Sequence, residues 1–441
     1  MGYQRVLIFV VVIFGALFIT PATASLDGGT DEPYPVAQAG YDTGSITQIL
    51  KLSPETPGTV RVTTSADLPL AVNEFYLYIP EAAEKVKVDG FRQTTKRNSP
   101  NGFRNYEWDG TNSPRIAYNL DVNKTNGDGK YKNVDAGKWA IIDTPSIPYY
   151  WSGSEDVQIN INHRVAGPGV SRDGFSFLGK HNIESSSANG QQFRLVIPEA
   201  ANLTEKPDTI FDNIAYASNQ LQVGERDKEV VMIAAPTSKE IQWANGGVAK
   251  DSIFWVADSA EVDSPSNLWI HEYVHTRQAF DRTGNFEWFP EGSPQYYAAL
   301  FTLQQEQIGF EEFRGHLVTK ESAVASKTLT ETKDSAWAQY SKGGLVAART
   351  DQQIRLITNG SASLTEIFRR LNEEKKPISN TDFIRYVGLY SNDGLESEIQ
   401  AATTTPHSLT MWDKEEHTQA FGEEPHEREP QINEANAKSL I

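Results

Sequence analysis

Cysteine is wholly missing from the 441 residues. That absence excludes disulfide frameworks, iron–sulfur clusters, thiolate zinc sites and cysteine nucleophiles together. Basic charge is scarce as well, with 40 Lys and Arg against 58 Asp and Glu and a formal net charge of −18. A chain of that sign has no broad electrostatic grip on nucleic-acid phosphates or anionic lipid, so nucleic-acid partners are not expected. Beyond the first residues no apolar run approaches the ~20 residues that a spanning helix needs. Histidine is rare too, at 8 residues, so any close pair carries weight. Hydrophobic residues nevertheless make up 39% of the chain, which excludes wholesale disorder. At roughly 150 residues per domain the length predicts two or three domains.

The one long apolar run lies at the start, where Val6 to Ile19 follows the positive charge of Arg5. A run of about 14 residues suits the apolar region of a signal peptide better than a spanning helix. Ala22-Thr23-Ala24 offers small residues where a signal peptidase reads them, so residues 1–24 read as a signal peptide cleaved after Ala24. The expected address is secreted or extracytoplasmic, with no membrane link beyond an uncleaved N-terminal anchor.

Residues 25–54 are rich in Gly, Asp, Ser, Thr and Pro and read as a flexible lead-in. Residues 55–185 carry short apolar runs split by turns, such as Thr59 to Thr63, Phe75 to Ile79 and Val157 to Ile161. Their alternation and β-branched or aromatic content predict a β-sandwich module. Within it Asn123 to Gly129 resembles a calcium loop, but Lys124 breaks the acidic ladder and a plain turn is expected. Residues 193–402 change texture. Helical spacing runs from Asp208 to Leu221, two strand-like runs follow at Val230–Ala235 and Ile253–Ala257, and helix dominates beyond Ser264. Ser363 to Glu366 reads as a capping box. The acidic tail, 403–441, has little to bury, and His407, His417 and His426 within it are expected to be solvated. The fold class is α+β.

One segment carries chemistry: Ser264-Pro265-Ser266-Asn267-Leu268-Trp269-Ile270-His271-Glu272-Tyr273-Val274-His275. Ser264 before Pro265 predicts a helix start. On that helix His271 and His275 lie one turn apart on one face, where both imidazoles reach one ion. Glu272 sits beside such an ion rather than on it, the position of a base that deprotonates a metal-activated water. The apolar flanks demand burial, and two buried imidazoles without a shared partner are costly. Gly284 can end this helix, and Pro290 or Pro294 can start the next. Glu291 at that start is the candidate third ligand, ahead of Asp281 and Glu287. Two imidazoles, one carboxylate and an open position favour Zn2+.

HEYVH followed by WFPEGSPQYY resembles the gluzincin metallopeptidases, which include thermolysin, the aminopeptidase N family and the glycyl aminopeptidase family. Their shared pattern is HExxH and then a Glu within an "EG" on the next helix. Tyr340-Ser341-Lys342-Gly343-Gly344 is similar to the "YxKG" helix of the aminopeptidase branches. The resemblance spans roughly Phe193 to Tyr390 and implies a thermolysin-like, mostly helical zinc peptidase domain behind a β module. It implies that Tyr340 donates a hydrogen bond to the tetrahedral oxyanion, a role that O–H chemistry suits.

Two departures accompany it. Fifteen residues separate His275 from Glu291, fewer than in the aminopeptidase N pattern, so the link is shorter. The stretch Asn245 to Ser252 holds no Glu where aminopeptidases bind a substrate's free amino group; Asp251 is the nearest acid. Endopeptidase activity is thus as open as exopeptidase activity, and the Gly246-Gly247 edge can pair with an extended peptide. His163, His181 and His316 are read as non-ligands, and Asn123, Asn202 and Asn359 fit the glycosylation acceptor pattern. The reading is an exported zinc metallopeptidase acting on peptides or polypeptides. Metal ligands are His271, His275 and Glu291; catalytic residues are Glu272 and Tyr340. The alternatives are a catalytically silent binding protein on a gluzincin scaffold and a zinc hydrolase of a non-peptide bond.

Overall fold

Strand formation begins earlier than composition implies. In the computed structural model, which describes residues 42–53, 56–153, 157–322, 327–334 and 336–427, Asp42–Leu52 is an eleven-residue strand. The expected flexible lead-in of 25–54 is corrected over this stretch. Ile46, Gln48 and Leu50 point inward at every second position, and that period outweighs the polar composition between them. The strand pairs in parallel with Val157–Val165 and antiparallel with Thr59–Asp67, so it lies inside a sheet rather than beside it. The signal peptide, its cleavage after Ala24 and residues 428–441 lie outside the described residues.

The chain divides after Lys180 into two compact units. In the first, the described strands form sheets of five, five and four strands. Ile46 and Val62 from one, Phe75 and Leu77 from another, and Ala140, Ile142 and Leu178 from the third meet in one core. Asn123 to Gly129 is a turn in which the Asn126 side chain accepts from the backbone of Asp128 and Lys130. The expected module end at residue 185 is corrected too. His181–Ala188 is the first strand of the second unit, paired antiparallel with Gln191–Pro198, so that unit begins twelve residues ahead of the expected 193.

The second unit holds a five-stranded mixed sheet ordered His181–Ala188, Gln191–Pro198, Glu229–Ala235, Ile253–Ala257 and Gly247–Lys250. Helix α1 (Pro207–Gln220) connects the parallel second and third strands and buries Ile210, Phe211 and Ile214. Gly247–Lys250, antiparallel to its neighbour, is the sheet's edge. Then come α2 (Leu268–His275), α3 (Trp288–Gln304), α4 (Phe310–Ser322), α5 (Ala336–Ile357), α6 (Leu364–Glu373), α7 (Asn380–Leu389), α8 (Asp393–Thr404) and α9 (Lys414–Phe421). The Ser363 box caps α6 from both sides, since Ser363 N donates to Glu366 Oε2 and Thr365 N donates to Ser363 Oγ. Asp351, wholly buried on α5, accepts from Tyr296 of α3 at 2.6 Å, from Leu364 N of α6 at 2.6 Å and from Arg355 at 2.9 Å. That carboxylate ties three helices together.

The solvated tail of 403–441 is corrected over 403–427, where Thr403 and Thr404 still belong to α8. Asp413 caps α9 in a capping box, and Glu415 and Glu416 occupy its first turn, where the helix dipole favours anions. The acidic charge thus starts a helix, whose other face buries His417 and Ala420. His417 stacks on Phe421 and meets Phe310 and Phe313 of α4 edge-on. His407 is exposed and His426 partly so. Among the described residues no helix is long and apolar enough to cross a membrane.

Candidate metal centre

Helix α2 starts three residues later than Pro265. Asn267 is its N-cap, accepting from Ile270 N, while its amide nitrogen donates to Asn213 Oδ1 and the Val262 carbonyl. Ser264 instead closes the preceding turn, its carbonyl accepting from Asn267 N. Trp269, Ile270, Tyr273 and Val274 are fully buried, which locks the helix and leaves His271 and His275 on the face toward α3. The helix stops at His275 with Thr276 as C-cap, well short of Gly284.

Helix α3 begins at Trp288, so Pro290 falls in its first turn, where a missing N–H costs nothing, and Pro294 lies inside the helix. What brings Glu291 into place is backbone proximity to α5. A Cβ on Gly292 would lie 2.5 Å from the Gly343 carbonyl carbon, so only glycine at 292 lets the two helices approach this closely. Lys342, buried beside that contact, donates to the carbonyls of Lys327 and Thr405, anchoring the start of α5.

The structure brings His271, His275 and Glu291 into one cluster, with one ligand atom from each within 4.8 Å of the others. The two imidazole Nε2 atoms are 3.3 Å apart, and Glu291 Oε2 is 3.5 Å from His275 Nε2 and 3.8 Å from His271 Nε2. Ligands about 2.1 Å from a tetrahedral ion stand about 3.4 Å from one another, so the triangle fits a single such ion. Glu291 Oε2 is buried without a hydrogen-bond partner, as a carboxylate oxygen shaped to coordinate would be. Burial pushes the Glu291 carboxyl up, but His275 and His271 outweigh it and hold the group well below the usual carboxylate range. Burial lowers His275, and the Glu291 carboxylate overcomes that and raises it to about 9.

Glu272 is buried at 4% exposure, and burial lifts its carboxyl to about 8, with Glu291 adding to the rise and His275 and the Ala249 amide opposing it. The edge strand lies against it. A Cβ on Gly247 would sit 2.7 Å from both Glu272 Cγ and Oε1, so Gly247 is the residue that leaves the base its room. Tyr340 on α5 stacks its ring on His271 at 5.9 Å and 14°. Burial pushes its hydroxyl well up, and the carboxylates of Glu291 and Glu272 push the same way.

The remaining candidates stay apart from this cluster. Glu287 pairs with Arg282 at 2.7 Å and flanks α3 outside it. Asp281 uses its backbone carbonyl to accept from Ile378 N, and Asp251 occupies the turn before Ile253–Ala257 with φ of 50°. His163 bonds Gln48 and Asp173, and His316 meets Gln295. Sequence reasoning missed Gln278, whose side chain reaches His275, and the Gly292–Gly343 contact. The glycines in "PEG" and "KGG" were the only available signal for the latter.

No family model matches the chain, and no curated protein does. Solved structures match over most of its length. An aminopeptidase N family protein from Idiomarina loihiensis is 14% identical, covers 85% of this chain and 78% of its own, and superposes with a TM-score of 0.60. An M1 zinc metallopeptidase from Deinococcus radiodurans is 11% identical over 85% of this chain and 96% of its own, with a TM-score of 0.56. A mutant M1 zinc metallopeptidase from the same organism, bound to a Tyr-Ser-Ala substrate, is 12% identical over 84% and 95%, with a TM-score of 0.54. The chain therefore shares an aminopeptidase-like fold in which sheets precede helices.

Proposed function

We propose that this chain is an exported zinc-dependent peptidase that cleaves peptide bonds with an activated water. The observation that carries the reading is the triangle of lone pairs from His271, His275 and Glu291, with edges of 3.3, 3.5 and 3.8 Å. Zn2+ bound there supplies Lewis acidity toward water and a carbonyl oxygen. The rest of the chemistry belongs to the chain. Glu272 takes a proton from the water and returns it to the leaving amine, a double task suited to a carboxyl whose proton affinity is raised by burial. Tyr340 keeps its proton, because burial raises its hydroxyl, and donates a hydrogen bond to the developing oxyanion. The fold shared with a protein holding Tyr-Ser-Ala supports a peptide substrate. With no Glu between Asn245 and Ser252, nothing in that stretch matches a selector for a free amino terminus, so internal bonds are within reach.

The test pairs wild type with Glu272→Gln on a peptide library, alongside metal analysis. Wild type should carry one Zn2+ and lose activity on chelation. The variant should keep the metal and lose roughly 10²–10⁴-fold in turnover. If both proteins are equally inert on every peptide, the silent-scaffold alternative replaces this reading; turnover of an ester or epoxide alone would replace the peptide bond.

A further inference from the structure

Pro294 lies inside α3 and has no backbone N–H to give. The carbonyl one turn earlier, that of Pro290, is therefore without its helical donor. Gln278, in the turn just after α2, takes that place: its Nε2 donates to the Pro290 carbonyl at 2.8 Å and to Ser293 Oγ at 3.4 Å. A carbonyl oxygen only accepts, so the amide must present its nitrogen to α3. Its other end, Oε1, then faces His275 Nδ1 at 3.1 Å. An amide oxygen there demands a donor, which puts the imidazole proton on Nδ1 and leaves Nε2 with its lone pair toward His271 and Glu291. The opposite tautomer would set two lone pairs against each other at a buried contact, Gln278 being 8% exposed.

We propose that Gln278 is a positioning residue that fixes the metal-binding tautomer of His275. The assignment rests on the metal reading above. Partners of this kind beyond the ligands change metal affinity by roughly 10–100-fold.

The experiment uses the full chain, with Zn2+ affinity read by chelator competition and with Co2+ as a spectroscopic stand-in. Gln278→Met keeps the volume and removes the acceptor; Gln278→Glu keeps an acceptor and removes the donor to Pro290. The methionine variant should bind Zn2+ roughly 10–100-fold more weakly, while the glutamate variant stays near wild type. The Co2+-loaded wild type should show a slowly exchanging, hyperfine-shifted imidazole N–H resonance, and its exchange should quicken in Gln278→Met. Wild-type affinity in the methionine variant would overturn the assignment, as would equal losses in both variants, which would make the Pro290 bond alone responsible. Absence of the protected resonance from wild type would overturn it even if a variant fails to fold. A wild-type chain that takes up no Zn2+ would overturn the metal reading itself, and this assignment with it.

Discussion

Tyr340 is one of 17 tyrosines, and what separates it from the others is a ring stacked on His271 and a hydroxyl that burial, with the Glu291 and Glu272 carboxylates adding to it, keeps protonated. If that O–H serves the transition state alone, Tyr340→Phe should retain the stack, keep KM close to wild type and lower kcat by roughly 10²–10³-fold. Steady-state kinetics on a peptide substrate decide it, and an unchanged kcat would return Tyr340 to a packing role. At this scale the sequence was legible where chemistry is local. His271, Glu272 and His275 share a helical turn and can be placed by spacing, whereas the approach of Glu291 from the next helix also depends on the Gly292–Gly343 contact. Gln278 was illegible because its task depends on a proton that Pro294 lacks on another helix. No pattern within reach of Gln278 records that.

Among the elements, α9 carries the clearest dependence on acidity. The Trp412 indole N–H donates to His417 Nδ1 at 3.2 Å, a bond that exists only while that nitrogen is unprotonated. Burial, with the nearby Arg355 charge adding to it, lowers His417 from 6.5 to about 4. The unfolded chain therefore takes up this proton below pH 6.5 and the folded chain does not until about pH 4. Stability is full above the higher value and drains away as pH falls between the two, by at most about 3 kcal/mol. Urea midpoints at pH 7 and pH 5 should drop more for wild type than for His417→Phe; equal drops would dismiss the idea. The periodic elements, α1, α6 and the two inner strands, were legible from apolar spacing and a capping box. The start of α2 was misjudged because Ser264-Pro265 fits a helix N-terminus locally, whereas Asn267 is held by Asn213 and Val262 from outside the segment. Helix α9 was missed because its acids were read as solvation when they cap.

For the whole molecule, the imbalance of 58 acids over 40 bases sets a repulsion that folding has to bear. Raising NaCl from about 0.1 to 1 M shortens the Debye length from about 10 to 3 Å. The scattered surface ion pairs lose little by this, since each contributes about 0–1 kcal/mol. The melting temperature should therefore rise with salt, as followed by circular dichroism, and a fall would mean that attractive pairs outweigh the excess charge. The order of β-rich and helical parts was legible from texture, but their boundary and first strand were not. His181–Ala188 is polar and mostly exposed, without the alternation that marks an inner strand, and only its pairing with Gln191–Pro198 assigns it to the second unit. The bare backbone at Gly247 has a practical use. The three atoms nearest to any Cβ added there all belong to Glu272, so bulk at that position reaches the base first. On the peptidase reading, a valine in its place should displace the Glu272 side chain, so that metal analysis finds zinc retained while turnover of a peptide library is lost; unchanged turnover would show that the base can yield the space.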